Sequence, residues 1–507
     1  MSFSEMGVVA LVVYIALLLG VSEVASRMRR DGSPSDHFLG GRELGVFVLF
    51  LTLYATAYSG NSLLGYPGKA YRSGFHFIMS TGFMMAIVVV FHLLVPKLRP
   101  AAVQRGYVTP GDWVRDRFRH DRLGGGLTRV VSVLMIVALA NFLLAQLKAM
   151  GEVASLVTGD MIPYSWGVIG LAGMILFYET RGGMRAVAWT DAAQGILMLA
   201  GLTTLLAWLM SSAGGLTAVT ESVAAARPSA VALPDAEGVA NWFSTIALLG
   251  LASVIYPQAI QRVYAAQSGR VLTRSMAWMT FMPLATTLVV TLIGVAAIPR
   301  LELASGVASD GVMPALLIEW SEESAGSRLA AVLVFVGALS AIMSTADSCL
   351  LSLGSVLARD LLGKTGTDAR ATRLGKMLAA LVLVLIIPIA LLRDITLWRL
   401  IELKMEILIQ CVPAFLLALH WRRQSAFATL LGLVVGTGFA LVATLGGTSQ
   451  WGGVHVGVIG LLLNGCVVIV VSLMGGRRGQ VTSARVVAPT GGAIGGGREF
   501  GGQEVER

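Results

Sequence analysis

The chain has 507 residues, 55% hydrophobic and only 13% charged, with a formal net charge of +9. That charged share is about half of what soluble globular domains carry, so much of the surface must face lipid, which argues against a soluble enzyme. The Lys and Arg residues lie in short loops between apolar segments, where they set topology and form no aromatic-interleaved surface for nucleic acid.

Apolar stretches long enough to cross about 30 Å of hydrocarbon recur along the whole chain and predict thirteen spans. They fall at 7–24, 45–70, 75–95, 127–157, 162–178, 187–210, 242–264, 275–298, 328–357, 374–392, 397–421, 426–445 and 454–474. The first follows an acidic start at Glu5 without a small-residue cleavage site, and is read as a retained helix. Cys349, Cys411 and Cys466 sit inside apolar segments with neither metal-ligand nor disulfide spacing.

Loop charge supports this count. Arg27, Arg29, Arg30 and Arg42 follow the first span, and Lys97, Arg99, Arg105, Arg115, Arg117, Arg119 and Arg122 follow the third. Arg181 and Arg185 follow the fifth; Arg262, Arg270 and Arg274 the seventh; Arg359, Lys364, Arg370, Arg373 and Lys376 the ninth. Arg422 and Arg423 follow the eleventh, and Arg477 and Arg478 the last. The opposite loops are neutral or acidic, with Glu221, Asp235 and Glu237 in one and Glu302, Asp310, Glu319, Glu322 and Glu323 in another. The alternation predicts a multi-pass inner-membrane protein with its N-terminus outside and its C-terminus in the cytoplasm. The glycine-rich, charged tail after Met474 cannot bury a core and is expected to be disordered.

Two spans carry polar chemistry. The second holds Ala55-Thr56-Ala57-Tyr58-Ser59-Gly60-Asn61-Ser62, then Gly65-Tyr66-Pro67-Gly68. A broken helix whose freed carbonyls bind a cation and a close helix crossing through small residues both fit it. The ninth holds Ser340-Ala341-Ile342-Met343-Ser344-Thr345-Ala346-Asp347-Ser348. Its adjacent hydroxyls are either neutral oxygen ligands suited to a monovalent cation, since divalent ions recruit carboxylates, or caps on carbonyls one turn back. Asp347 is ionisable inside a span, which marks function by default. The other reading places it at the interface, facing Arg359.

Ser344-Thr345 after Ala341, the Gly65-x-Pro67-Gly68 turn, and Arg181-Gly182-Gly183-Met184-Arg185-Ala186-Val187-Ala188-Trp189-Thr190-Asp191-x-x-Gln194 together resemble the sodium:solute symporter family. The Gly-Gly-to-Trp-Thr-Asp-x-x-Gln element is the most specific piece, and the likeness covers nearly the whole chain. It implies an all-α polytopic membrane protein with the leucine-transporter fold, built from two inverted five-helix repeats. The implied division is an extra helix and loop at 1–44, repeats at 45–212 and 213–424, two further helices at 425–475 and a tail at 476–507. Both repeats would begin with a broken helix, the second near Ser253-Val254-Ile255-Tyr256-Pro257-Gln258, where the proline lacks an N–H.

By the same resemblance sodium would be held by the carbonyls of Ala55, Tyr58 and Ala341 and the hydroxyls of Ser344 and Thr345, with Asp191 and Asp347 on the ion's exit route. Proline-type members carry an acid where this chain has Ala57. Candidate solute contacts are Asn61, Ser62, Gln146, Tyr256, Gln258, Gln410 and Lys404; for each, an interhelical hydrogen bond is the other reading. Glu402 and Glu406 share a helix face by spacing, whereas Lys404 points elsewhere. No enzyme activity and no cofactor are implied, only sodium as coupling ion, with solute and lipid as partners. The expected function is sodium-driven import of a small organic solute. The alternatives are proton coupling through Asp347 or Asp191, or a membrane sensor that binds without transporting.

Overall fold

The computed structural model describes residues 1–27, 33–303, 306–363 and 369–475. Arg29, Arg30, Lys364, Arg477, Arg478 and the rest of the tail lie outside the described residues. The described chain is almost wholly helical, as a lipid solvent requires, because each span must satisfy its own backbone polar groups.

In chain order the helices are α1 (Phe3–Arg27), α2 (Pro34–Leu39), α3 (Val46–Ala57), α4 (Tyr66–Ser73), α5 (Met79–Arg105), α6 (Pro110–Arg117), α7 (Gly124–Val157) and α8 (Tyr164–Ala213). They continue with α9 (Leu216–Ala226), α10 (Ala236–Ala252), α11 (Pro257–Ala265), α12 (Gly269–Met279), α13 (Val289–Ala296), α14 (Val312–Glu323), α15 (Ala325–Ser355) and α16 (Ala369–Ala390). The last are α17 (Leu397–Leu408), α18 (Ala418–His420), α19 (Ala426–Leu445) and α20 (Val456–Met474). Among the described residues, ten helices are long and apolar enough to cross a membrane.

The expected spans all fall on helix, but not one to one. The second divides into α3 and α4 around a non-helical link and a π-helical turn, Asn61–Gly65. The fifth and sixth form one continuous element, α8, bent where Gly183 adopts φ 60°, a conformation that favours glycine. Two expected loops contain helices. α9 buries Val219 and Val223, and α14 buries Val312, Met313, Leu316, Leu317 and Trp320. α9 packs on α8 and α13, and α14 on α15, α7 and α4. Between α19 and α20 a two-residue hairpin pairs Gln450–Trp451 with Val454–His455. Gly452 and Gly453 both have positive φ there, as that tight turn demands.

α15 is the axis of the bundle. It packs on α1, α3, α7, α8, α14 and α16, and every residue from Gly337 to Ser355 is buried. Any polar side chain on this stretch must therefore find a partner in protein or serve a function. The end of the bundle where α3 begins and α11 finishes is joined by a bridge from Leu44 to Ala266. Arg42 and Arg99 donate to the carbonyls of Tyr264 and Ala266 there, which makes this the basic end of the bundle.

Candidate functional site

The α3–α4 break decides what the site can hold. α3 ends where Tyr58 turns extended, at φ −109° and ψ 99°. In an unbroken helix the amides of Ser59, Gly60 and Ser62 would close onto the carbonyls of Ala55, Thr56 and Tyr58. Instead Ser59 N–H donates to Ser62 Oγ at 3.3 Å, Gly60 N–H to Gln146 Oε1 at 3.0 Å and Ser62 N–H to the Ser59 carbonyl at 2.8 Å. Three carbonyls are thereby released from the helical ladder at a buried level. Gly60 permits the approach of the flanking helices. A Cβ there would meet Ile342 Cγ1 at 2.6 Å and Gln146 Oε1 at 2.8 Å, so the break lies directly against α15 and α7.

α15 meets it with Ala341, Ser344 and Thr345, all fully buried. The Ala341 carbonyl keeps a second lone pair beyond its helical bond. Thr345 Oγ1 has no hydrogen-bond partner among the described residues. Ser344 donates its proton to Asp191 Oδ1 at 2.5 Å, which leaves its oxygen lone pairs for something else. The same carboxylate accepts a hydroxyl bond from Thr52, one turn before Ala55. Thr52 and Ser344 on one carboxylate bring the carbonyl end of α3 and the hydroxyl pair of α15 together. Ala55, Tyr58, Ala341, Ser344 and Thr345 are all buried, at the end of α3 and on the helix α15 that packs against it.

Asp191 is reached through the Trp-Thr-Asp element of α8, and it is ion-paired. Arg262 Nη2 lies 2.8 Å from its Oδ2, and both side chains are wholly buried. Arg262 also donates to Ser348 Oγ at 2.6 Å and to the carbonyls of Thr52 and Gln258 at 3.2 and 3.1 Å. Arg262, expected among the loop charges, instead stands buried on α11 inside the bundle. Its signal in the sequence was weak, a basic residue one turn after Gln258 on a broken helix. Asp347 is buried, and among the described residues neither of its carboxylate oxygens has a hydrogen-bond partner. It does not face Arg359, which pairs with Asp112 at 3.4 Å.

The second break matches the first in kind. α10 gives way to a 3-10 turn at Ser253–Ile255, Tyr256 is extended, and Pro257 opens α11. Between the two breaks lies a cavity. Asn61, Ser62, Tyr256 and Lys404 line it at the level of the breaks, and Val263, Leu272 and Met276 carry it toward the basic end. At the opposite end Tyr66 lines it and packs with Phe77, Phe83 and Trp398 in an aromatic layer, ring centroids 5.1 to 6.5 Å apart. The other three solute candidates lie elsewhere. Gln146 holds the Gly60 amide, Gln258 is buried behind the break on α11, and Gln410 donates to the Gly457 carbonyl at 2.8 Å in the contact with α20.

A missed residue sits beside the aromatic layer. Asp310 is buried and accepts the Leu397 N–H at 2.7 Å, clamping the α13–α14 connection onto the start of α17. Burial pushes its carboxyl up to about 7, against the opposing pull of the Leu397 amide and the Arg72 guanidinium. Gly68 admits this segment, since a Cβ there would meet the Ser309 carbonyl at 2.4 Å.

Comparison with known proteins agrees with this architecture. Residues 37–436 match the sodium:solute symporter family. The chain is 28% identical to the sodium/pantothenate symporter of Escherichia coli over 95% of this chain and 99% of that one. It is 24% identical to the sodium/proline symporter of the same organism over 94% of each. Among solved structures, a Na+-coupled sialic acid symporter in a substrate-bound outward-open state superposes with TM-score 0.74 at 18% identity, over 92% of this chain and 97% of that one. A nucleobase-cation-symport-1 family transporter in a closed conformation superposes with TM-score 0.55 at 15% identity, over 87% and 94% of the two chains. The fold is therefore that of the leucine-transporter class, and the chain, a multi-pass membrane transporter and not an enzyme, belongs to the sodium:solute symporter family.

Proposed function

We propose that this chain imports a small organic solute, an amino acid, monocarboxylate or similar compound, together with sodium, by alternating access. The observation that carries the reading is the pairing of released carbonyls at the α3–α4 break with a hydroxyl pair on α15. Ser344 donates its proton to Asp191, and the Thr345 hydroxyl has no hydrogen-bond partner among the described residues. Uncharged oxygens around a desolvated position suit an ion that must bind and leave in every cycle. Ala55, Tyr58 and Ala341 would supply carbonyls, and Ser344 and Thr345 hydroxyls. Asp191 orients Ser344 as an outer-shell partner, and with Asp347 it lies on the side by which the ion leaves.

In this account residues 45–212 and 213–424 are the two repeats, and the N-terminus is outside. External sodium binds first and stabilises the outward-open arrangement; solute enters between the breaks; rocking of the repeats exposes both to the cytoplasm. The cavity that runs to the basic end beneath an aromatic layer supports the inward half of that cycle. The membrane potential contributes about 2.3 kcal/mol per charge per 100 mV.

The test is a thermal-shift screen of amino acids, short monocarboxylates, pantothenate and sugars with and without sodium, followed by uptake of the best ligand into proteoliposomes. An inward sodium gradient should drive accumulation, and collapsing it should abolish accumulation. Equal accumulation in sodium-free buffer under a pH gradient would reject sodium coupling. Binding without accumulation would make the protein a sensor.

A further inference from the structure

The central cavity is lined by aliphatic, aromatic and small polar side chains, and one of its lining residues carries a formal charge: Lys404. Its Nζ lies 3.3 Å from the Phe142 ring centroid and 5.7 Å from that of Tyr256. Among the described residues no carboxylate pairs with it. The acids of its own helix are turned away and engaged. Glu402 accepts from Trp398 Nε1 at 2.7 Å and pairs with Arg399 at 3.1 Å, while Glu406 accepts from Thr444 Oγ1 at 3.1 Å. A lone ammonium at mid-bundle is costly in an apolar setting, and two aromatic faces offset only part of that cost.

A second group faces the same space. Asn61, on the π-helical turn after the first break, is buried, and among the described residues neither its amide nitrogen nor its carbonyl oxygen has a hydrogen-bond partner. One cation without an anion, and one amide with an open donor and an open acceptor, describe the ligand by complement. No carboxylate among the lining residues would receive an ammonium, and Ala57 lines the wall on the α3 side. A zwitterion would place its amino group, with no carboxylate to receive it, in the same cavity as Lys404.

From this we infer, building on the sodium-symport reading above, that the transported solute is a monocarboxylate with an apolar body and a neutral hydrogen-bonding substituent. Its carboxylate pairs with Lys404, its hydroxyl or amide with Asn61, and its hydrocarbon lies against the methionines and aliphatic side chains. Amino acids and sugars are selected against, the first by an uncompensated ammonium and the second by a wall with too few polar groups.

The experiment uses the full chain in nanodiscs and measures ligand affinity by thermal shift, with and without sodium. The probes are matched sets: the hydroxy acids lactate, hydroxyisovalerate and phenyllactate; their primary amides; the amino acids alanine, valine and phenylalanine; and glucose. At least one hydroxy acid should bind ten times or more tighter than its amide and its amino counterpart. Lys404→Gln and Lys404→Met should each lower that affinity by about a hundredfold, as loss of one partner from a buried charge pair does, and Lys404→Arg should restore part of it. The shift produced by sodium alone is the check that each variant folds. The inference is overturned if an amino acid or amide binds as tightly as its acid, if Lys404→Met keeps the acid's affinity, or if no acid binds. If acids bind through Lys404 but neither sodium alone nor sodium with solute shifts the wild type, it is the symport reading that fails.

Discussion

Replacing Ser344 and Thr345 together by alanine removes two of the five oxygens assigned to sodium and leaves the three carbonyls. A hydrogen bond to a charged group contributes about 1.5–3 kcal/mol, and an ion–hydroxyl contact in a buried site belongs to that range. Losing two such contacts costs about 3 kcal/mol at the low end, or roughly a hundredfold in sodium affinity at 1.4 kcal/mol per decade. Sodium at ten times its dissociation constant stabilises the wild type by about 1.4 kcal/mol. At the same concentration the double variant would gain under about 0.1 kcal/mol. Thermal unfolding across a sodium series, with choline replacing sodium to hold ionic strength, reads both values. Fold damage is visible separately, because it lowers the melting temperature at zero sodium, whereas loss of the site flattens the dependence. An unchanged half-saturating sodium concentration in the double variant would refute the assignment.

Gly60→Ala should weaken sodium dependence as strongly, because the added Cβ meets Ile342 at 2.6 Å and pushes the break off α15; a sodium series on that variant checks it. Asp191→Asn and Arg262→Met should each destabilise the protein by about 3–5 kcal/mol, since each leaves a buried charge without its partner. The pair of changes together should cost less than their sum, and additive melting losses would contradict the ion pair. The Asp310 carboxyl, ordinarily near 3.8 and here at about 7, keeps its proton in the folded state through that window. Its contribution is complete below 3.8 and is lost as pH rises through 7. The stability difference between wild type and Asp310→Asn should therefore change across this range, and a difference flat in pH would dismiss the effect.

What the sequence made legible follows from how directly each feature registers in composition. Spans show because lipid demands long apolar runs. The break at Tyr58-Ser59-Gly60 shows because small and hydroxyl residues interrupt such a run, and the second break because Pro257 lacks a donor. Arg262 was hidden: a basic residue near a span's end looks the same whether it sets topology or neutralises Asp191, and only the packing of α11 against α3 and α15 separates the two. Gln146 stood out as a polar residue in a span, but its service to the Gly60 amide depends on a neighbour 86 residues away. Lys404 was distinguishable from Glu402 and Glu406 by helical spacing alone; that its face opens on the cavity was not. Asp310 resembled any acid in an external loop, because burial of a connection leaves no periodic mark.

The central claim is that one alkali ion sits between the α3–α4 break and α15, and replacing sodium by thallium in a structure determination tests it most directly. A single strong scatterer should appear ringed by the carbonyl oxygens of residues 55, 58 and 341 and the hydroxyls of Ser344 and Thr345, and it should vanish in the double alanine variant. Thallium found elsewhere in the bundle, with that position empty at saturating concentration, would contradict the account.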